Sequence, residues 1–172
     1  MTTDSGSTGD FVDRARAAWA EASPTLDTSS MELIARMGRI AALWHQAQER
    51  RLRPAGVSRT ELDLLCSLAR ADRPLRASEV TAATLLSNAS TTKLTTRLAE
   101  AGLVRRSRGD RDARVVLLEL TEAGRTLVER ELPACLALDE SLLAGLDTGD
   151  REQLEAALRL VLRHTEDAVR RD

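Results

Sequence analysis

Residues 105–114, RRSRGDRDAR, gather five arginines around a Gly109-Asp110 turn dipeptide in a chain whose formal net charge is −2. Guanidinium groups fork onto phosphate oxygens, and the narrow minor groove of DNA attracts inserted arginine. Arg108 and Arg111 flank the turn, Arg114 lies just inside the returning arm, and Asp112 is near enough in sequence to orient a guanidinium. The preceding stretch, residues 87–101 (SNASTTKLTTRLAEA), reads as a helix with two unlike faces. Thr91, Leu94 and Leu98 form a core stripe. Ser90, Lys93 and Arg97 form another, with Ala89, Thr92 and Thr96 beside them. Short side chains let a helix backbone approach base edges in the major groove, and hydroxyls and cations hold phosphates. The expected DNA-binding set is therefore Ser87, Asn88, Ala89, Ser90, Thr92, Lys93, Thr96, Arg97, Arg108, Arg111 and Arg114, with the remaining arginines on phosphate.

Other chemistries lack their residues. Cys66 and Cys135 are far apart, no C-x-x-C occurs, and His45 and His164 are isolated. A zinc site needs about four clustered ligands, so no metal or cofactor is expected. Nothing pairs a nucleophile with a base or cradles phosphate in a glycine loop, so the chain does not read as an enzyme. Cys66, in LDLLCSL, reads as a small core residue. A redox sensor would need an exposed thiol in positive surroundings, and the same alternative stands for Cys135.

The chain has 172 residues, 42% hydrophobic and 30% charged, which suits one domain with a real core. Aromatics are only 2%, so aliphatic side chains must fill that core, which favours packed helices. No apolar h-region and no membrane span is visible, so a soluble cytoplasmic protein is expected. Charge is segregated: residues 93–114 hold seven bases against three acids, net +4, while residues 121–172 hold seven against twelve, net −5. One region attracts polyanions and the other repels them.

The elements that must position these residues follow from periodicity and caps. Residues 1–9 read as a disordered leader. Residues 10–22 form a short helix with Phe11, Ala15, Ala18, Trp19 and Ala22 on one face. SSME (29–32) reads as a capping box opening a helix to about Arg51, striped by Leu33, Met37, Ile40 and Trp44. SRTE (58–61) is a second box, opening a helix with Leu62, Leu65, Leu68 and Ala69. Pro74-Leu75-Arg76 reads as extended, residues 77–86 as a short helix, and Ser87 as the cap of the next, which Gly102 closes. LVRRSR and RVVLLEL are β-like arms. Long helices follow over 121–146, containing Pro133, and 148–170, striped by Leu154, Leu158 and Val161. Helix-turn-helix followed by a β-hairpin is a winged helix, so the expected fold is mainly α with a small β-hairpin wing.

The stretch SEVTAATLLSNASTTKLTTRLAEAGLVRR, with DARVVLLELTEAGR after it, resembles the MarR family of bacterial winged-helix regulators. AGLVRR (101–106), the wing D-x-R (Asp112, Arg114) and LTEAGR (120–125) carry the likeness, which spans roughly residues 30–165. The resemblance implies that residues 87–101 are the recognition helix and that 58–120 form the DNA-binding lobe. It implies that 29–57 and 121–172 are dimerisation helices, with 10–28 an added helix and linker. A homodimer would then present two recognition helices to a palindromic operator on double-stranded DNA, most often as a repressor released by a small effector. Ala113 stands where many members have a second arginine. The added helix is similar to that of the urate-responsive subgroup, which implies ligand-binding roles for Trp19, Asp63 and Arg97. Leu94 departs from that subgroup's usual arginine. Urate or another anionic or aromatic metabolite is the implied effector. Trp19 as an apolar anchor and Asp63 as a partner of Arg59 or Arg70 are the plainer alternatives, and an effector-independent architectural or dimerisation module is the alternative function.

Overall fold

The computed structural model describes residues 9–71, 73–84, 86–108 and 115–171. In chain order the elements are α1 (Phe11–Ala22), α2 (Met31–Leu52), a 3-10 turn (Arg53–Ala55), α3 (Arg59–Ala69), β1 (Leu75–Arg76), α4 (Ala77–Thr84), α5 (Asn88–Glu100), β2 (Val104–Arg108), β3 (Val116–Leu120), α6 (Glu122–Leu142) and α7 (Thr148–Val169). The expected winged helix-turn-helix is there, with α3, α4 and α5 in front of the β2–β3 ribbon. The extended stretch at Leu75–Arg76 joins that ribbon as a third antiparallel strand, in the order β1-β3-β2, with Leu75 opposite Leu118. The turn at Gly109-Asp110 and the D-x-R at Asp112–Arg114 lie outside the described residues, as do residues 1–8 of the leader.

The core is centred on α3. Leu62, Leu64, Leu65, Cys66 and Leu68 are all buried, so this helix is covered on nearly every side. Val80 of α4, Leu98 of α5, Val104 and Leu118 of the ribbon, and Leu127 and Val128 of α6 pack around it. Burying each such aliphatic chain stabilises the fold by roughly 1.5–3 kcal/mol, which is how a chain nearly free of aromatics still folds.

Caps set the helix starts. Ser58 and Glu61 form the reciprocal box read at α3, Ser87 caps α5 through Ser90 N (3.1 Å), and Asp147 caps α7 through Asp150 N (2.8 Å). The reading at SSME is corrected. Helix α2 starts after Ser30, in helical conformation and with no side-chain cap. Asp27 takes Ser29 N at 2.9 Å, and Glu32 is drawn away to Arg36 and Arg16. A box that was not read from sequence holds α1 instead, between Asp10 and Asp13.

The face read on α1 is corrected too. Val12 is its buried residue, while Phe11 and Trp19 stay about half exposed. Charge docks this helix: Arg36 of α2 reaches Asp10 (2.7 Å) and Asp13 (2.5 Å), and Arg39 lies 4.7 Å from the Phe11 ring. The hydrogen bond from Arg36 holds the Asp10 carboxyl below its ordinary pKa.

Gly102, at φ 71°, ends α5 and turns the chain into β2. Thr121 locks that turn to the start of α6. Its N–H donates to Leu103 O (3.1 Å) and its hydroxyl to Gly102 O (2.6 Å), while the same hydroxyl accepts from Gly124 N (3.1 Å). Gly124 lies so close that a Cβ there would sit 2.1 Å from Leu103 O. Gly124→Ala is therefore expected to destabilise the fold by about 1–3 kcal/mol through overpacking. It should lower the urea midpoint at unchanged slope, and an unchanged midpoint would show that the junction yields freely.

Candidate nucleic-acid interface

Helix α5 is held from behind and open in front. Thr91, Thr95 and Leu98 are buried, and Leu94 is partly so. Thr81 of α4 donates its hydroxyl to Thr91 Oγ1 (2.9 Å), fixing the two helices of the motif to each other. Ser87, Asn88, Ala89, Ser90, Thr92 and Lys93 are exposed together along the first two turns. Among the described residues Lys93 has no ion-pair partner, so its ammonium is available to an incoming anion.

The other members of the sequence-derived set are placed differently. The Thr96 hydroxyl accepts from Arg106 of β2, which ties the ribbon to α5. Arg97 NH1 lies 2.7 Å from Glu61 Oε1, and its NH2 donates to Gly56 O at 3.1 Å, so this guanidinium turns back toward the start of α3. On the ribbon, Arg105 stands opposite Glu119 and pairs with it at 2.5 Å. Arg108 is exposed at the end of β2 and has no ion-pair partner among the described residues. Arg111 and Arg114 lie outside the described residues.

The three residues implied for ligand binding share no hydrogen bond or ion pair among the described residues. Trp19 is 47% exposed on α1. Asp63 pairs with Arg59 at 2.6 Å, which chooses Arg59 over Arg70, and Arg97 pairs with Glu61. A polar junction that sequence reasoning missed lies instead where α2, α3 and α6 meet. Trp44 donates its indole N–H to Asp139 Oδ1 (2.6 Å), Gln48 donates to the same oxygen (2.5 Å) and to Cys135 O (3.2 Å), and the Arg59 guanidinium lies 5.1 Å from the Trp44 ring. Desolvation works against the Arg59 charge, but the hydrogen bond and charge of Asp63 outweigh it and raise the pKa. The signal for this junction was Gln48, a polar residue one turn beyond Trp44 on the stripe read as apolar.

Burial raises the pKa of both Cys66 and Cys135, the opposite of what a reactive thiol needs. No metal-holding cluster occurs among the described residues, and no described helix is long and apolar enough to cross a membrane.

Residues 55–115, from the turn before α3 to the residue before β3, match the sequence model of the MarR family. The chain carries a winged helix, and over that lobe it is similar to the MarR family. It is 27% identical over 148 residues to the HTH-type transcriptional regulator PecS of Dickeya dadantii (strain 3937), covering 85% of this chain and 89% of that protein. AbsC, a MarR family transcriptional regulator from Streptomyces coelicolor, superposes with a TM-score of 0.73 at 24% identity, covering 83% of this chain and 97% of that one. S. aureus MepR in its DNA complex gives a TM-score of 0.71 at 21% identity, covering 76% and 97%. PecS and AbsC are transcriptional regulators, and MepR is seen bound to DNA.

Trp44→Phe removes one of the two donors on Asp139 Oδ1. The variant is expected to lose about 1.5–3 kcal/mol, as for hydrogen bonds to charged groups, read as a lower urea midpoint. Wild-type stability would mean that water replaces the indole N–H.

Proposed function

We propose that this chain is a MarR-type DNA-binding regulator that acts as a homodimeric repressor of a palindromic operator. The observation that carries the reading is the open face of α5. Six exposed small or cationic residues, from Ser87 to Lys93, stand beside a basic ribbon in a chain of net charge −2. In this reading Ser87, Asn88, Ala89, Ser90 and Thr92 approach base edges in the major groove and Lys93 holds a phosphate. Arg108, with Arg111 and Arg114 beyond it, reaches the minor groove or its phosphates.

The dimer is supported by apolar surface that one chain leaves open. No residue of α7 is buried, although the helix carries Leu154, Leu158, Leu160, Val161 and Leu162. On α2, Leu33, Ile34 and Ile40 are likewise exposed, and a groove of about 780 Å³ runs between Ile34 and Met37 on one side and Leu158, Val161 and Leu162 on the other. An apolar surface of that extent is a mark of an association site. The helices 29–57 and 121–172 would bury it against a second copy, and 58–120 would form the reading lobe. The pair of α5 helices would then face half-sites one helical turn apart, about 34–36 Å.

An effector that releases the operator belongs to the same reading, with urate or another anionic or aromatic metabolite as the candidate at the seam between dimer helices and lobe. One observation favours the effector-independent alternative: Trp44, Gln48 and Arg59 fill the α2–α3–α6 junction and are hydrogen-bonded or stacked there. Fluorescence anisotropy on an operator duplex, titrated with urate and a panel of aromatic acids, separates the two. Unchanged DNA affinity across the panel selects the alternative.

Lys93→Ala and Arg108→Ala are each expected to weaken duplex binding and to reduce the slope of log affinity against log salt by about 0.9, one phosphate contact. Unaltered slopes in both would remove the interface from this face. Leu158→Asp combined with Leu162→Asp is expected to sediment as a monomer and to lose the operator. A persisting dimer would place the interface elsewhere.

A further inference from the structure

Glu61 is wholly buried, with a carboxylate at 0% exposure at the third position of α3. Its Oε2 accepts from Ser58 N (2.8 Å) and from the Ser58 hydroxyl (3.0 Å), which completes the capping box. Glutamine closes such a box as well as glutamate does, because the cap requires an acceptor and not a charge. The buried charge therefore has another use. Glu61 Oε1 accepts no hydrogen bond among the described residues, and its one charge partner is Arg97, whose NH1 forms an ion pair with it at 2.7 Å. A buried carboxylate is tolerated when a cation stands against it, and Arg97 is the cation here.

Arg97 belongs to the helix that reads DNA, and its side chain is 59% exposed. Both of its terminal nitrogens nevertheless point back into the protein. NH1 meets Glu61, and NH2 donates to Gly56 O, where the chain takes a left-handed turn (φ 72°) between α2 and α3. On the far side of the same turn, Arg59 N donates to Glu49 Oε1 of α2 at 2.7 Å. The first turn of α3 is thus fastened to the long helix α2 by one carboxylate and to α5 by another. Arg106, donating to Thr96, then fastens the ribbon to α5 one residue before Arg97.

We propose that Arg97 is a positioning residue for DNA reading rather than a DNA contact, and that Glu61 sets the tilt of α5 through it. The proposal rests on the operator-binding reading above. A phosphate contact strengthens binding to every duplex and contributes to the salt slope, whereas a strut affects only the fit of α5 to its chosen bases. Glu61 is then a determinant of discrimination between operator and other DNA, although its carboxylate never meets solvent.

The probe is a duplex selected by the wild-type protein from a random pool, compared with a random-sequence duplex of equal length. Glu61→Gln, which keeps the cap, and Arg97→Ala are each expected to lose about tenfold in affinity for the selected duplex. Binding to the random duplex should stay within about twofold, with the salt slope unchanged. The double variant Glu61→Gln/Arg97→Gln should be no worse than either single, and Arg97→Lys should recover part of the loss. Circular dichroism and urea midpoints check the fold. If Arg97→Ala does not fold because Glu61 is left unpaired, the double variant, which carries neither charge, gives the reading. A slope reduced by about 0.9 with parallel loss on both duplexes would make Arg97 a phosphate contact and overturn the proposal. Wild-type discrimination in Glu61→Gln or in the double variant would also overturn it. If the wild-type protein selects no duplex at all, the failure belongs to the operator-binding reading itself.

Discussion

The burial of α3 is the constraint on which the other elements depend. Leu62, Leu64, Leu65 and Leu68 are all buried on one short helix, within a core cluster shared with α4, α5, the sheet and α6. A helix of this kind cannot be moved without disturbing everything around it, because interiors are close-packed. It also gives the polar residues of its first turn a fixed frame. Ser58, Arg59, Glu61 and Asp63 occur within six positions, and their partners lie on α2, on α5 and on α3 itself.

Basic side chains play two parts in this protein. Arg36, Arg51, Arg59, Arg97, Arg105 and Arg106 bind other parts of the chain: Arg36 joins α1 to α2, Arg51 reaches the buried Glu131 of α6 at 3.0 Å, and Arg106 joins the ribbon to α5. Lys93 and Arg108 face outward without ion-pair partners among the described residues. A basic stretch thus supplies internal struts and an exterior field at once. Guanidinium is suited to both, because its fixed fork of donors satisfies carboxylates and backbone carbonyls in the interior as readily as phosphates outside.

Helix α7 illustrates the other side of the balance. It is attached to the end of α6 through Arg151, which pairs with Glu140 (2.7 Å) and donates to Leu143 O (3.0 Å). None of its leucines is nevertheless buried within the chain. An amphipathic helix gains most of its stability from the face it buries, which is the cover that the proposed second copy would supply to α7 and α2.

The element order, most helix bounds, α5 with its small-faced surface and the ribbon were legible in the sequence. Each depends on short-range signals: the Ser58 and Ser87 caps, the Gly102 turn, and apolar residues at spacings of three and four. The box at Ser29–Glu32 was misread because Arg36, one turn further along α2, and Arg16, brought in by α1, take that carboxylate. The same limit governed the site. The sequence alone determined that a small-faced helix and an arginine-rich ribbon stand together, since local periodicity and composition specify them. Only the tertiary structure decided that Arg97 turns inward to Glu61, that Arg105 and Arg106 are engaged, and that Trp44 meets Asp139. A charged or aromatic side chain takes the partner that folding brings within about 3–5 Å, and such proximity between residues up to 95 positions apart is written in no local pattern.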